Sequence, residues 1–480
     1  MIRFLLNDQD INEENCAPDT TVLEYLRTKV EQRGTKEGCA SGDCGACTIV
    51  LAEATNGQLS YQTVNSCITL LGSLHGKQLL TVEHLKEQGA LHPVQQAMVD
   101  LHGSQCGFCT PGFIMSLFAL YKNCDQPTRA DVENALAGNL CRCTGYRPII
   151  DAALSLAGRG ASDIFTKSEA STYLRLTGIL KQHPSGFIEH GARRFLIPTN
   201  GDELLAQLQR FPDAKLVAGG TDLSLSITQQ LQQPETLIYS GRVQELMQIE
   251  ESASTLKIGA AVTYSAMQSS LHKYFISFAD MLERLGSLQV RNQGTLGGNV
   301  ANASPIGDTP PVLLALDARI HVRSPNGRET FPINTFFTGY RQTKLPASGF
   351  IESIEIPLQP ECQLYVYKIS KRLDDDISAV CAAFSIELKD GKVNDVRLGF
   401  GGMAATPARA LKAEQALIGQ SFTEQGILAA QKALAEDFSP IDDVRASGAY
   451  RLQVAQNLLL RAVLEQDNPT HEALEVVQYA

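Results

Sequence analysis

The chain carries no polybasic stripe. Its 41 Lys and Arg stand against 52 Asp and Glu, for a formal net charge of −11 over 480 residues. Phosphate backbones and anionic membranes are held by clustered cations, so nucleic acid and charged lipid surfaces are not expected partners. Long apolar runs are also missing. Stretches such as Phe113–Leu120 and Val312–Leu316 fall well short of the ~20 residues that cross a bilayer. The opening Met1-Ile2-Arg3-Phe4-Leu5-Leu6-Asn7-Asp8 turns polar too soon for a signal peptide, and a cytoplasmic location is expected. There is no H-E-x-x-H, G-x-S-x-G, Rossmann G-x-G-x-x-G or Walker loop. The nine histidines are scattered, and none is expected to act in catalysis.

What the chain does have is cysteine. Of twelve, ten lie in the first 143 residues. In a reducing compartment such density points to metal rather than disulfides. Cys39, Cys44 and Cys47 follow the C-x4-C-x2-C spacing, with Cys67 further on, which is the plant-type [2Fe–2S] pattern. Gly38, Gly42 and Gly45 let a tight loop adopt positive φ and aim backbone N–H groups at sulfur. The competing reading is a structural zinc site, which more often separates two C-x2-C pairs by a longer arm. A second set, Cys106 and Cys109 with Cys141 and Cys143, is compatible with zinc, a redox dithiol or a cluster. Cys109-Thr110 and Cys143-Thr144 each precede a helix start, which argues for one shared site whose helix N-termini favour an anion. Cys16, Cys124, Cys362 and Cys381 have no partners at ligand spacing and read as ordinary, mostly buried residues.

Residues 1–85 read as a small α+β unit with strands at Arg3–Leu6, Thr48–Leu51 and Leu59–Val64 and helical spacing over Val22–Val30. Residues 86–157 read as four helices. Pro93 opens the first, Thr110 caps the second, Thr128 caps the third and Pro148 starts the fourth. Residues 158–187 lack a sustained apolar pattern and read as a linker. An α+β texture follows over 188–360, with strands expected at Lys215–Ala218, Thr236–Tyr239, Leu256–Ile258, Arg319–Val322 and Ile351–Ile356. A further α+β domain is expected over 361–480. In it, strands at Ser378–Leu388 and Lys392–Phe400 precede helices near Ala408–Ile418, Phe422–Glu436 and Tyr450–Gln466.

Two Gly-rich segments mark the middle of the chain. Leu216-Val217-Ala218-Gly219-Gly220-Thr221-Asp222-Leu223 ends a short apolar run in a sharp turn suited to a pyrophosphate. Gly294-Thr295-Leu296-Gly297-Gly298-Asn299, followed by Asn302 and Asp308, offers a hydroxyl, amides and a carboxylate for phosphates and ribose. Either could be no more than a tight turn. Together, behind an iron–sulfur pattern, they favour a flavin, which exchanges single electrons with a cluster and pairs with a hydride carrier.

The runs Gly103–Gly112 and Gly138–Tyr146, with the two cysteine sets, resemble the iron–sulfur/FAD small subunits of molybdenum hydroxylases, and in particular those of the bacterial xanthine dehydrogenase group. The resemblance covers essentially the whole chain. It implies a β-grasp [2Fe–2S] domain, a four-helix [2Fe–2S] bundle, an FAD domain of the vanillyl-alcohol-oxidase (PCMH) type and a C-terminal α+β flavoprotein domain. It places Cys39, Cys44, Cys47 and Cys67 on one cluster and Cys106, Cys109, Cys141 and Cys143 on the other. Leu216–Leu223, Thr295, Gly298, Asn299, Asn302, Asp308, Ile351 and Lys368 fall at FAD contacts. Leu285 stands where some relatives carry an aromatic beside the flavin, and Lys371–Ile377 resembles a loop governing access of NAD. A molybdopterin-bearing large subunit is implied as partner, in a heterotetramer. Electrons would run from molybdenum through the bundle cluster, the β-grasp cluster and FAD to NAD, with xanthine or hypoxanthine, an aldehyde or another N-heterocycle as substrate. A reading of another class is a zinc-stabilised binding protein.

Overall fold

The computed structural model describes residues 1–87, 89–159 and 163–467. The chain divides into two compact units. The first holds Met1–Met247, Thr263–Ala266 and Gly286–Thr295; the second holds Gln248–Val262, Met267–Leu285 and the chain from Leu296 on. Among the described residues no helix is long and apolar enough to cross a membrane.

The first unit begins with a mixed sheet of β1 (Ile2–Leu6), β2 (Gln9–Glu13), β3 (Thr48–Thr55), β4 (Gln58–Asn65) and β5 (Gln78–Leu80), in the order β2-β1-β5-β3-β4. Only the β1–β5 pair is parallel. Both faces of this sheet are covered, so consecutive residues of β3 serve different cores. Val50 and Ala52 join Leu5 and Tyr61 against Phe113 and Phe118 of the helical bundle. Ile49 and Leu51 join Ile2 and Phe4 on the opposite side. That second core also takes in Ile188, Phe195, Ile197 and Leu237. These come from a four-stranded sheet of β6 (Gly186–His190), β7 (Arg193–Ile197), β8 (Lys215–Val217) and β9 (Thr236–Tyr239), ordered β6-β7-β9-β8. Through this shared core residues 188–247 pack with the cysteine-rich part of the first unit.

The bundle contains α1 (Pro93–Asp100), α2 (Thr110–Asn123), α3 (Arg129–Leu136) and α4 (Arg147–Leu154). Thr128 caps α3 through a reciprocal box with Asp131. Thr110 is the first residue of α2 rather than its cap. Cys109 takes the cap position, and Thr110 Oγ1 instead lies 2.7 Å from Ser104 Oγ. Within the expected linker at 158–187, α5 fills Ile164–Gln182. Only Phe165, Thr172 and Leu176 of α5 are fully buried, too sparse a stripe to show as periodicity. Its cap, Asp163, accepts from Thr166 N–H at 2.7 Å and lies 3.2 Å from both His92 Nε2 and Lys122 Nζ. Burial opposes the charge of this carboxylate, but its donors hold it well below the usual range. Residues 160–162 of the expected linker lie outside the described residues.

The second unit contains an antiparallel five-stranded sheet ordered Ile249–Glu251, Thr255–Gly259, Phe350–Pro357, Arg319–Ser324, Gly327–Pro332. A four-stranded antiparallel sheet is led by Cys362–Ile369, a strand absent from the sequence reading, beside Val380–Lys389 and Lys392–Gly401. Helices Leu411–Leu417, Leu428–Asp437 and Gly448–Asp467 complete its core, with Phe384 and Phe400 packed near Leu434 and Leu459.

His75 joins pieces far apart in sequence. Its Nδ1 accepts from Arg3 N–H at 3.0 Å, and Nε2 lies 2.8 Å from the His183 carbonyl at the end of α5. Burial pushes this imidazole down to about 4. The unfolded chain, with an ordinary histidine near 6.5, therefore binds the proton first. The contribution is whole above about pH 6.5 and falls as the pH drops toward 4, by roughly 3 kcal/mol at most. Thermal unfolding midpoints measured at pH 7 and pH 5 should differ more in the parent than in His75→Gln.

Candidate functional site

Cys39, Cys44 and Cys47 lie on the loop between the helical segment formed by Val22–Glu24 and Tyr25–Lys29 and β3, and Cys67 follows β4. Cys47 Sγ is 3.2 Å from Cys67 Sγ, and the Cys39 thiol lies within hydrogen-bonding reach of Cys44 and Cys67. The thiols thus converge, with Cys39 by Cys44 and Cys47 by Cys67. Gly42 and Gly45 adopt φ of 84° and 66°. Gly38 does not need positive φ; its role is space, since a Cβ there would sit 2.8 Å from Cys44 Sγ. A backbone donor points at sulfur, Ser41 N–H at 3.4 Å from Cys39 Sγ, and the Ala46 backbone favours the Cys44 thiolate.

The bundle set forms pairs across its two loops. Cys143 reaches Cys106, and Cys109 reaches Cys141. Burial pushes Cys109 up to about 12. At Cys141 burial also raises the thiol, but Thr144 Oγ1 at 3.2 Å and the N–H groups of Cys143 and Thr144 at 3.4 Å prevail, bringing it to about 7. Those donors come from the turn leading into α4, which itself begins only at Arg147. Among the described residues no group of three His, Cys, Asp or Glu is arranged to hold a single metal ion. A [2Fe–2S] cluster asks instead for two thiolates on each of two irons, and both sets supply two pairs.

The two sets face one cleft of about 440 Å³, with Cys39 and Cys44 on one wall and Cys106, Cys109, Cys141 and Cys143 on the other. The walls are bonded: Leu140 N–H donates to the Cys44 carbonyl at 3.0 Å. Asn139 Nδ2 donates to the Gly45 carbonyl at 3.1 Å. Cys47 and Cys67 are buried, whereas Cys106 and Cys143 are exposed, ringed by exposed Phe108, Leu140 and Tyr146.

The first Gly-rich segment behaves as its sequence suggests. It leaves β8, turns at Gly220 with φ of 75° and enters the short helix Leu223–Thr228, where Ser224 N–H closes on the Gly220 carbonyl at 2.8 Å. Gly219 is pressed to 1.8 Å, measured from an added Cβ, against the Gln293 carbonyl. The end of that helix returns to the cysteine loop: Thr228 Oγ1 donates to the Ala40 carbonyl at 2.8 Å and Gln229 Nε2 to the Cys39 carbonyl at 3.0 Å. Thr295 is buried in this unit.

In the second unit, the segment carrying Gly298, Asn299 and Asn302 is the helix Leu296–Asn302 rather than an open loop. Asn299 Oδ1 accepts from Thr309 Oγ1 at 2.6 Å. Asp308 and Lys368 meet as a buried ion pair at 2.6 Å, tied by Ser378 Oγ at 2.9 Å from Lys368 Nζ and 2.5 Å from Asp308 Oδ1. Ser378, outside the expected site, follows the 371–377 loop. Burial pushes the neighbouring Cys381 thiol up. Ile351 is buried on Phe350–Pro357, and Leu285 is half-buried. Residues 371–377 form a loop in which Asp376 accepts from Arg372 N–H at 2.9 Å and Ile377 N–H at 3.0 Å.

Four family models match in succession. They are a 2Fe-2S iron-sulfur cluster binding domain over residues 4–72, a [2Fe-2S] binding domain over 81–154, an FAD binding domain in molybdopterin dehydrogenase over 190–359, and a CO dehydrogenase flavoprotein C-terminal domain over 365–466. A solved chain of carbon monoxide dehydrogenase from Hydrogenophaga pseudoflava shares 31% identity at TM-score 0.54, with 56% of this chain covering 94% of that one. The chain belongs to the molybdenum hydroxylases. Among these molybdenum hydroxylases, xanthine dehydrogenase of Emericella nidulans is 35% identical over 91% of this chain and 36% of its own length. Xanthine dehydrogenase/oxidase of Mus musculus is 31% identical over 90% and 36%. The chain thus spans little more than a third of these relatives. Quinoline 2-oxidoreductase from Pseudomonas putida 86 matches at 26% identity and TM-score 0.54, over 58% of this chain and 97% of that one. The chain therefore carries two [2Fe–2S] domains and an FAD-binding domain, as its sequence implied.

The contact between the cysteine loops makes a direct demand on α2. A Cβ on Gly112 would come within 2.1 Å of the Gly45 carbonyl, whereas one on Gly178 of α5 meets nothing within 4 Å. Gly112→Ala should destabilise the chain by about 1–3 kcal/mol, and Gly178→Ala should be neutral or stabilising by about 0.4–1 kcal/mol. Chemical denaturation of both variants against the parent checks the pair.

Proposed function

We propose that this chain is the electron-relay subunit of a molybdenum hydroxylase that oxidises xanthine or hypoxanthine and reduces NAD. In this reading Cys106, Cys109, Cys141 and Cys143 hold the cluster that receives electrons from the partner, and Cys39, Cys44, Cys47 and Cys67 hold the one that passes them toward FAD. The observation that carries it is the pairing of both cysteine sets across one bonded cleft. When bound, the clusters supply one-electron steps and FAD joins these to a two-electron hydride transfer. The protein's own residues present thiolates, aim N–H donors at sulfur and keep water from Cys47 and Cys67.

FAD is assigned to Leu216–Leu223, Thr295, Gly298, Asn299, Asn302, Asp308, Ile351 and Lys368. The turn at Gly220 supports the pyrophosphate assignment. Lys368 and Asp308 act there as a preformed pair, not as two free contacts. The partner is a large molybdopterin-bearing subunit in a heterotetramer. The exposed ring of Phe108, Leu140 and Tyr146 around Cys106 and Cys143 supports its docking on that face. Likeness to xanthine dehydrogenases over nine-tenths of the chain supports xanthine as substrate; NAD is assigned to the face of the Lys371–Ile377 loop. The carbon monoxide dehydrogenase and quinoline oxidoreductase neighbours support a second reading, the same relay serving another substrate. A cytoplasmic location suits the free thiols.

Iron, sulfide and flavin assays on the purified chain should give about four irons and one FAD. Zinc with no visible absorbance would overturn the relay. Gly219→Ala should lose FAD while retaining iron; undiminished FAD would count against the pyrophosphate assignment.

A further inference from the structure

Gln289 was not singled out by any sequence pattern. It lies in a one-turn helix, Leu288–Arg291, within the segment matched by the FAD-domain family, yet it is fully buried in the first unit. Its Nε2 reaches three acceptors: Asn139 Oδ1 at 3.0 Å, Thr48 Oγ1 at 3.2 Å and Ser116 Oγ at 3.3 Å. One of these comes from the β-grasp sheet and two from the bundle. The amide's orientation is dictated by its neighbours. Asn139 Oδ1 already accepts from Ser116 Oγ at 2.7 Å, and Thr48 Oγ1 spends its proton on the Gly45 carbonyl at 2.7 Å. Only donors fit against them, so Oε1 is turned away and is left buried without a partner. A buried polar atom left unpaired is tolerated where its group does something else.

The knot closes on one peptide. The Gly45 carbonyl accepts from Asn139 Nδ2 at 3.1 Å, Thr48 Oγ1 at 2.7 Å and Thr48 N–H at 3.1 Å. A trans peptide is planar, with its C=O and N–H pointing in opposite directions. Fixing the Gly45 carbonyl therefore fixes the direction of the Ala46 N–H, which lies on the Cys44 side of the loop, where it favours the thiolate. N–H donors to cluster sulfurs raise a cluster's reduction potential.

We propose that Gln289 is a positioning residue through which the flavin domain sets the potential of the β-grasp cluster, by way of Asn139, Thr48 and the Gly45–Ala46 peptide. The inference rests on the cluster assignment above. It adds that the potential of this cluster is completed by a side chain from the domain that takes its electrons. Without Gln289, Asn139 and Thr48 lose a shared donor, the peptide gains freedom to rotate, and the Ala46 N–H is no longer held toward the Cys44 sulfur.

The test is a redox titration of the full chain, purified with its iron, sulfide and flavin, read by the electron paramagnetic resonance of each cluster. Gln289→Leu should lower the potential of the β-grasp cluster, shifting its reduction equilibrium by up to about tenfold (~59 mV for one electron). The bundle signal should keep its intensity. Thr48→Val, which removes the hydroxyl at the same peptide, should shift the same signal in the same direction, and the double variant should add less than the sum. If Gln289→Leu does not accumulate, Thr48→Val alone decides. A parent chain without iron overturns the cluster assignment and this inference with it. A parent chain with two cluster signals and variants of unchanged potential overturns the inference alone.

Discussion

The carbonyls of Cys44 and Gly45 are held by the neighbouring bundle, through Leu140 N–H and Asn139 Nδ2. Much of the first unit is arranged so that these two bonds can form. Gly45 sits at positive φ, and a side chain there would strike the Gly138 carbonyl. Gly112 lets α2 begin against the Gly45 carbonyl, and Gly138 leaves room for Ser287. Three glycines from three parts of the chain thus yield their side chains to one backbone approach. The result brings two cysteine loops, about a hundred residues apart in sequence, onto one cleft.

That approach has an energetic background in the shared cores. The β-grasp sheet is apolar on both faces, and it binds the bundle with one and the β6–β9 sheet with the other. Fully buried Phe113, Phe118 and Phe195 each supply a contribution of roughly 3–5 kcal/mol when measured against alanine. Polar bonds of about 1 kcal/mol apiece would not hold such domains together. They select the register at which the apolar faces meet, and so fix the cysteine loops to within hydrogen-bonding distance.

Much of this was legible in the sequence because it is local. The C-x4-C-x2-C loop, the four helices of the bundle and the turn at Gly219-Gly220 depend on residues within a few positions of one another. Other features depend on tertiary context. The helix Ile164–Gln182 buries only Phe165, Thr172 and Leu176 fully, so its amphipathic stripe is faint. Gln289 gains meaning only from Thr48, Ser116 and Asn139, which lie 150 to 241 residues away. Asp308 and Lys368 were each legible as flavin-domain residues. Their pairing with Ser378 arises from strands Cys362–Ile369 and Val380–Lys389 laid side by side, with Lys368 opposite Cys381. The compact division at Met247 was hidden for the same reason, since no single position marks a core shared between two sheets.

The central claim is that the two cysteine sets are neighbouring [2Fe–2S] sites of one relay. The most direct measurement is the low-temperature paramagnetic resonance spectrum of the fully reduced chain. The account predicts two distinct [2Fe–2S] signals, each broadened or split by the other's spin. A single signal, or two that show no mutual interaction, would contradict it.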